Sequence, residues 1–205
     1  MFAALFLLAA AASPHSLVAQ LNSIKVLDTT ALVPPPGARV AIVEFDDLEC
    51  PTCARFNPLL KQAAANYRIP WIRHDFLIPY HNWSRSAAVY ARWFDARSKA
   101  LGDEYRDQVF ANQSSIELPF QLNQFTQKFA QSHGISLPFS LDPQGKLGAA
   151  VQADCDLGTR TGVNGTPTIF IVCGNSKNAT YTQVLDPERD LYRDIDQALA
   201  KARGH

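Results

Sequence analysis

Glu44-Phe45-Asp46-Asp47-Leu48-Glu49-Cys50-Pro51-Thr52-Cys53 is the stretch that decides the fold. The run up to Phe45 is mostly apolar and reads as a strand buried on both faces, over Arg39 to Asp46, with Glu44 as the charged exception. A short acidic loop follows and delivers Cys50. Pro51 then takes the first position of a helix, where its missing N–H is not needed. A helix N-terminus leaves backbone N–H groups unpaired and carries partial positive charge. A sulfur placed there is stabilised as its anion, so Cys50 is expected to ionise more easily than a free cysteine. Cys53 follows three residues on, nearly one helical turn, within reach of a disulfide with Cys50.

Outward from this stretch the chain alternates between two patterns. The helix is expected to run from Pro51 to Tyr67, kinked at Pro58. Ile69 to Ile78 is a second strand, which makes a β-α-β unit with the cysteines at its switch. Helical periodicity then takes over. Ser84 to about Leu101 carries Ala87, Ala88, Ala91 and Phe94 on one face, and Asp103 to Asn112 carries Tyr105, Val109 and Phe110. Leu122 to His133 carries Phe125 and Phe129 one turn apart, and Asp142-Pro143 opens a helix to about Thr161. Strand signals return over Thr168 to Cys173, followed by a Gly174-Asn175-Ser176 turn and a hairpin partner over Ala179 to Leu185. Asp186-Pro187-Glu188 starts a terminal helix. Upstream, Leu21 to Val33 is a candidate edge strand ahead of a stiff Pro34-Pro35-Pro36-Gly37 connector. The expected fold class is α/β, a central mixed sheet with flanking helices. Residues 20–80 and 162–205 build the sheet domain, and 81–161 form an inserted all-helical domain.

Composition narrows the function. Lys+Arg and Asp+Glu balance at 19 each, which gives no electrostatic case for nucleic acid or an anionic membrane. Residues 1–19 resemble the apolar core of a secretory signal peptide, though no Lys or Arg precedes Lys25, as if the front were truncated or its start misplaced. The apolar run stops at Ala12, short of the ~20 residues that a membrane span needs. Export implies a periplasmic or other extracytoplasmic, oxidising compartment, where disulfide chemistry has substrates.

The second informative stretch is Val163-Asn164-Gly165-Thr166-Pro167-Thr168, just ahead of a strand. C-P-x-C, a carboxylate six residues before the first cysteine, a proline five after the second, and G-V-x-G-T-P-T before a hairpin occur here in order. Together they resemble the DsbA-like branch of the thioredoxin superfamily, over roughly residues 38–203 and including the helical insertion. The resemblance implies a thioredoxin fold and assigns roles. Cys50 is the attacking cysteine, exposed at the helix tip, and Cys53 its buried partner. Glu44 is the buried acid that relays a proton to and from the second cysteine. Pro167 is a cis-proline beside the disulfide, and Thr166 offers its backbone to an extended substrate. Pro51 and Thr52 tune the pair, and threonine brings only a hydroxyl where the strongest oxidants of the family carry histidine.

Each role has a plainer rival. The cysteines could be half of a zinc site, but Cys155 and Cys173 supply no second C-x-x-C, so no metal is expected. Glu44 could be a strand-end carboxylate in water, and Pro167 an ordinary trans proline. Cys155 and Cys173 are either a structural disulfide, the reading favoured in an exported protein, or two buried thiols. Asp46, Asp47 and Glu49 are expected to be exposed and to oppose the Cys50 thiolate weakly through screened water. His74, His81 and His133 show no ligand spacing and read as surface or packing residues.

The leading functional expectation is an exported thiol oxidase that introduces disulfides into reduced secreted proteins, as a monomer and without a cofactor. By resemblance, it is recharged by a quinone-linked membrane oxidase of the DsbB or vitamin-K-epoxide-reductase (VKOR) type. A reductase or isomerase on the same fold, and a non-enzymatic peptide- or metal-binding module, are the alternatives.

Overall fold

All seven residues of β1, Val40–Asp46, are buried, because this strand sits inside the sheet with helices on both faces. The computed structural model describes residues 23–203. The signal-peptide expectation for residues 1–19 therefore lies outside the described residues. The sheet order is β2-β1-β3-β4, with β2 at Trp71–Asp75, β3 at Thr168–Cys173 and β4 at Thr180–Val184. β2 runs parallel to β1 and β3 antiparallel to it, so the sheet is mixed, and Glu44 stands between Arg73 on one side and Ile169 on the other.

Six α-helices accompany the sheet among the described residues: α1 Pro51–Tyr67, α2 Ser84–Asp95, α3 Lys99–Ala111, α4 Pro119–Ser132, α5 Lys146–Thr161 and α6 Pro187–Arg203. Strand alternation divides the core. Val40, Ile42, Ile169 and Ile171 face Leu60 and Ala63 of α1 and Leu191 and Ile195 of α6. Ala41, Val43, Phe45, Phe170 and Val172 face the other way, onto Leu32 and Leu157 of α5. Gly158 lets α5 lie this close, since a Cβ there would stand 2.5 Å from the Phe76 ring.

The helices between β2 and β3 form their own core around Phe94, Tyr105 and Phe129, whose ring centroids are 4.8–5.2 Å apart. This insertion is fastened to the sheet by Arg92 of α2, which reaches Asp75 at the end of β2 and Asp154 of α5, both at 2.6 Å.

The structure corrects three expectations about elements. The first helix of the insertion ends at Asp95 rather than near Leu101, because the Ser98 hydroxyl caps a new helix by accepting the Leu101 N–H. Asp142 does not open α5 directly; three residues of turn intervene, and its carboxylate accepts the Gly148 N–H at 2.8 Å. The 23–33 segment is irregular instead of an edge strand. Its N–H groups go singly to the Gln183 side chain and the Thr161 carbonyl, and Ile24, Val26 and Leu32 cover a sheet face.

Candidate active site

Cys50 occupies the N-cap of α1, and Pro51 the first helical position. Its backbone N–H donates to Asp47 O at 2.9 Å, and its carbonyl accepts the Ala54 N–H at 3.1 Å. The loop before it is held residue by residue. The Asp47 carboxylate accepts the N–H groups of Glu49 and Ile78, each at 2.8 Å, and lies 2.8 Å from His81 Nδ1. Glu49 accepts the N–H groups of Asn82 and Trp83 at the start of α2, at 3.0 and 2.6 Å. Gln113 of the insertion donates to the carbonyls of Leu48 and Cys50, at 2.7 and 3.1 Å. The sulfur that chemistry would use is thus fixed from both the sheet and the insertion.

Cys53 is fully buried and comes within 3.5 Å of Cys50. The two thiols are pushed in opposite directions. Cys50 is lowered to about 5, mainly because the Cys53 thiol donates to it, with the Thr166 side chain and the N–H groups of Cys53 and Thr52 adding to the effect against the cost of burial. Cys53 is raised well above the ordinary thiol range, chiefly by burial. One sulfur is held as an anion and the other as a proton donor to it.

The Thr166–Pro167 peptide bond is cis, and the Thr166 carbonyl oxygen is 3.3 Å from Cys50 Sγ. Pro51 and Thr52 are exposed at the rim, while Thr166 and Pro167 are half-buried beside the sulfur. Beneath the pair lies Glu44, 1 % exposed, accepting a hydrogen bond from Trp71 Nε1 at 3.0 Å. Burial, with Asp46 adding to it, pushes its carboxyl up to about 8 against the opposing pull of Arg73. A carboxyl neutral at pH 7 can give a proton as well as take one. A cavity of about 650 Å³ lies in the insertion between α3 and α4, and neither cysteine is among its lining residues.

The structure brings Glu44, Cys50, Cys53, Thr166 and Pro167 to one place and separates the remaining two cysteines. Cys155 and Cys173 are free thiols here, and the elements that carry them pack against opposite faces of the sheet. Cys173 faces α6 and donates to Ala198 O at 3.4 Å, whereas Cys155 rides on α5. Cys50 is also less open than a helix tip suggests, at 7 % exposed, because it packs in one cluster with Leu48 and Trp83. The acids around it are not a solvated fringe. Asp46 and Asp47 are 3 % and 1 % exposed, each spent on fixed partners. The histidines too have partners: His74 faces Asp154, His81 faces Asp47 and His133 faces Glu104.

Sequence reasoning missed Trp71, Arg73, Asp46 and Gln113. A signal for Arg73 existed: an arginine in mid-strand, beside a strand buried on both faces, needs a buried acid.

Residues 28–185 match the sequence profile described as Thioredoxin. Among curated proteins, the Na(+)/H(+) antiporter NhaA 3 of Salinispora tropica is 27 % identical over 150 residues, which is 67 % of this chain. The chain spans about a fifth of that relative's length, 21 %. Among solved structures, α-DsbA1 of Wolbachia pipientis superposes with a TM-score of 0.68 at 17 % identity, covering 85 % of this chain and 92 % of that one. Oxidised BdbD of Bacillus subtilis does so with 0.64 at 18 % identity, covering 89 % and 98 %. By its sequence profile, its sheet order and the cysteine pair at the head of α1, the chain belongs to the thioredoxin family and has the DsbA-like form of its fold.

Proposed function

We propose that this chain is a thiol:disulfide oxidoreductase and that it works as a dithiol oxidase on reduced, exported proteins. One observation carries the reading: two adjacent thiols of opposite acidity, Cys50 lowered to about 5 and Cys53 raised by burial. A thiolate stable at neutral pH favours the reduced form, and stabilising the reduced form makes the disulfide an oxidant.

In this reading a substrate thiolate attacks Cys50 Sγ of the oxidised pair. The Cys50–Cys53 bond breaks, and its electron pair leaves on Cys53, which takes a proton. Cys50 is then bonded to the substrate. A second substrate thiolate attacks the substrate sulfur and releases Cys50, a good leaving group because its anion is stable. Two electrons pass from the substrate dithiol to the cysteine pair. Thr166, beside the cis-proline, would pair with the extended substrate backbone, and Pro51 and Thr52 would meet its side chains. Glu44 would handle the proton at Cys53. A membrane quinone-linked oxidase of the DsbB or VKOR type would restore the disulfide, and the protein would act outside the cytoplasm as a monomer.

The test is a reduction potential, measured by equilibrium with glutathione, together with a trap. The expected potential lies between those of thioredoxin, about −270 mV, and DsbA, about −120 mV. A value at or below thioredoxin's would falsify the oxidase reading. A Cys53→Ser variant should hold substrates as mixed disulfides on Cys50. A reductase on the same fold would keep both cysteines as thiols in living cells, and a binding module would keep its function in Cys50→Ala.

A further inference from the structure

Arg73 is the register partner of Glu44, yet its hydrogen bonds go elsewhere. Its Nε and Nη2 both donate to Oδ2 of Asp46, at 3.0 and 2.7 Å. Glu44 receives a neutral donor instead, the Trp71 indole N–H at 3.0 Å. The guanidinium is held in this orientation by two rings, Trp71 at 4.6 Å and Phe110 at 5.4 Å from their centroids. All three ionisable groups are buried: Glu44 is 1 % exposed, Asp46 3 %, and the Arg73 side chain 7 %. Two acids thus share one cation in a space that water does not reach. One acid can be neutralised by the arginine; the other is cheapest as a carboxylic acid.

We infer that Asp46 is a positioning residue for the thiol chemistry: by holding Arg73 to itself it leaves Glu44 a neutral acid, able to protonate Cys53. The inference rests on the functional reading above. The charged and titratable groups that act on Glu44 are Asp46 on its own strand, Arg73 from β2, and Cys50 of α1. Glu44 in turn acts on Cys53, and Asp107 of α3 on Arg73. The step balances in atoms and charge. A substrate thiolate forms a bond to Cys50 Sγ, the Cys50–Cys53 bond breaks, and Cys53 leaves with the electron pair. The Glu44 carboxyl gives its proton to that sulfur, so that a Cys53 thiol and a Glu44 carboxylate replace the acid and the attacking anion. Glu44 later regains its proton from solvent. A Glu44 already paired with Arg73 would hold no proton to give, and its charge would oppose the departing Cys53 anion.

Asp46→Asn tests this, since it removes one negative charge near Glu44 and frees Arg73 to turn to its register partner. Both changes drive Glu44 toward the carboxylate. Carbon-13 NMR of the Glu44 carboxyl should show its midpoint fall by more than one pH unit from about 8. Single-turnover oxidation of a dithiol peptide at pH 7 should slow about tenfold. It should recover at lower pH, a displacement of the pH profile that a merely structural residue would not cause. In Asp46→Asn/Arg73→Met, with the freed cation gone, the midpoint should climb back most of the way toward the wild-type value. An unmoved midpoint in Asp46→Asn overturns the inference. So does a wild-type Glu44 that is already ionised at pH 7, a measurement that stands even where the single variant does not fold. A wild type that oxidises no dithiol while the midpoint moves as expected defeats the functional reading and leaves the Asp46–Arg73 clamp in place.

Discussion

Cys50 Sγ lies 3.3 Å from the backbone oxygen of Thr166, a residue 116 positions further along the chain. As a thiol, Cys50 can donate to that oxygen. As a thiolate it has no proton to give, and the contact would set an anion against a carbonyl. The Thr166 hydroxyl is buried and makes no hydrogen bond of its own among the described residues, so it is free to turn its proton toward the sulfur. Together with the Cys53 thiol it lowers Cys50 to about 5.

Ultraviolet absorbance of the thiolate in the reduced protein should therefore titrate near 5. Cys53→Ala should raise that midpoint, because the Cys53 thiol is the largest cause of the lowering, and Thr166→Val should raise it by less. The folded reduced form loses the Cys50 proton near 5 and the unfolded chain near 8.5, so between these the unfolded state binds more protons. Stability of the reduced form, measured against the oxidised form by urea unfolding, should rise with pH across that window. A flat difference would show that Cys50 titrates normally.

Glu44 has the opposite sign. Its carboxyl is raised to about 8 in the fold, so between the ordinary carboxylate range and 8 the native state holds a proton that the unfolded chain has lost. This contribution to stability is full below about 4.3 and is lost as pH rises through 8. Glu44→Gln keeps the size of the side chain and removes the titration. In the oxidised protein, where Cys50 does not ionise, the variant should gain on the wild type by a few kcal/mol between pH 5 and 8. Parallel stability curves would exclude a raised Glu44.

The sequence showed the strands and the thiol pair more clearly than the charges around them. β3 was legible to the residue, because Thr168–Cys173 is an apolar run bounded by proline and glycine. The break at 96–98 was not, because Ala96 and Arg97 are acceptable helix residues and what ends the helix is the Ser98 cap. Cys50, Cys53, Glu44 and Thr166-Pro167 were legible because each belongs to a local pattern. Asp46, Asp47 and Glu49 were misread as solvent-exposed because their partners, Arg73, Ile78 and His81, Asn82 and Trp83, come from β2 and the turn after it. Local polarity cannot reveal a partner some thirty residues away. Whether Cys155 and Cys173 could meet was not legible for a related reason: which face of the sheet a helix covers is set by tertiary packing.

The cysteine count gives a direct check. A Cys50→Ala/Cys53→Ala variant should show two reactive thiols after denaturation without reductant, from Cys155 and Cys173. In the folded state Cys155 should react first, since it is half-exposed and Cys173 is buried. A variant with no titratable thiol would mean that the two are bridged after all.

Glu49 offers the last test, because it joins the cysteine loop to the insertion. Its two carboxylate oxygens accept the N–H groups of Asn82 and Trp83, the two residues that lead into α2. Both hydrogen bonds lie beside the positive end of the helix. Glu49→Ala should cost about 0.5–2 kcal/mol by urea unfolding, the range for loss of a helix cap. Glu49→Gln keeps one oxygen acceptor and should cost less. The cysteines make no direct contact with this carboxylate, so the Cys50 titration should shift little in either variant. A large shift of the thiolate midpoint with unchanged stability would mean that Glu49 acts on the sulfur by its charge rather than by holding the loop to α2.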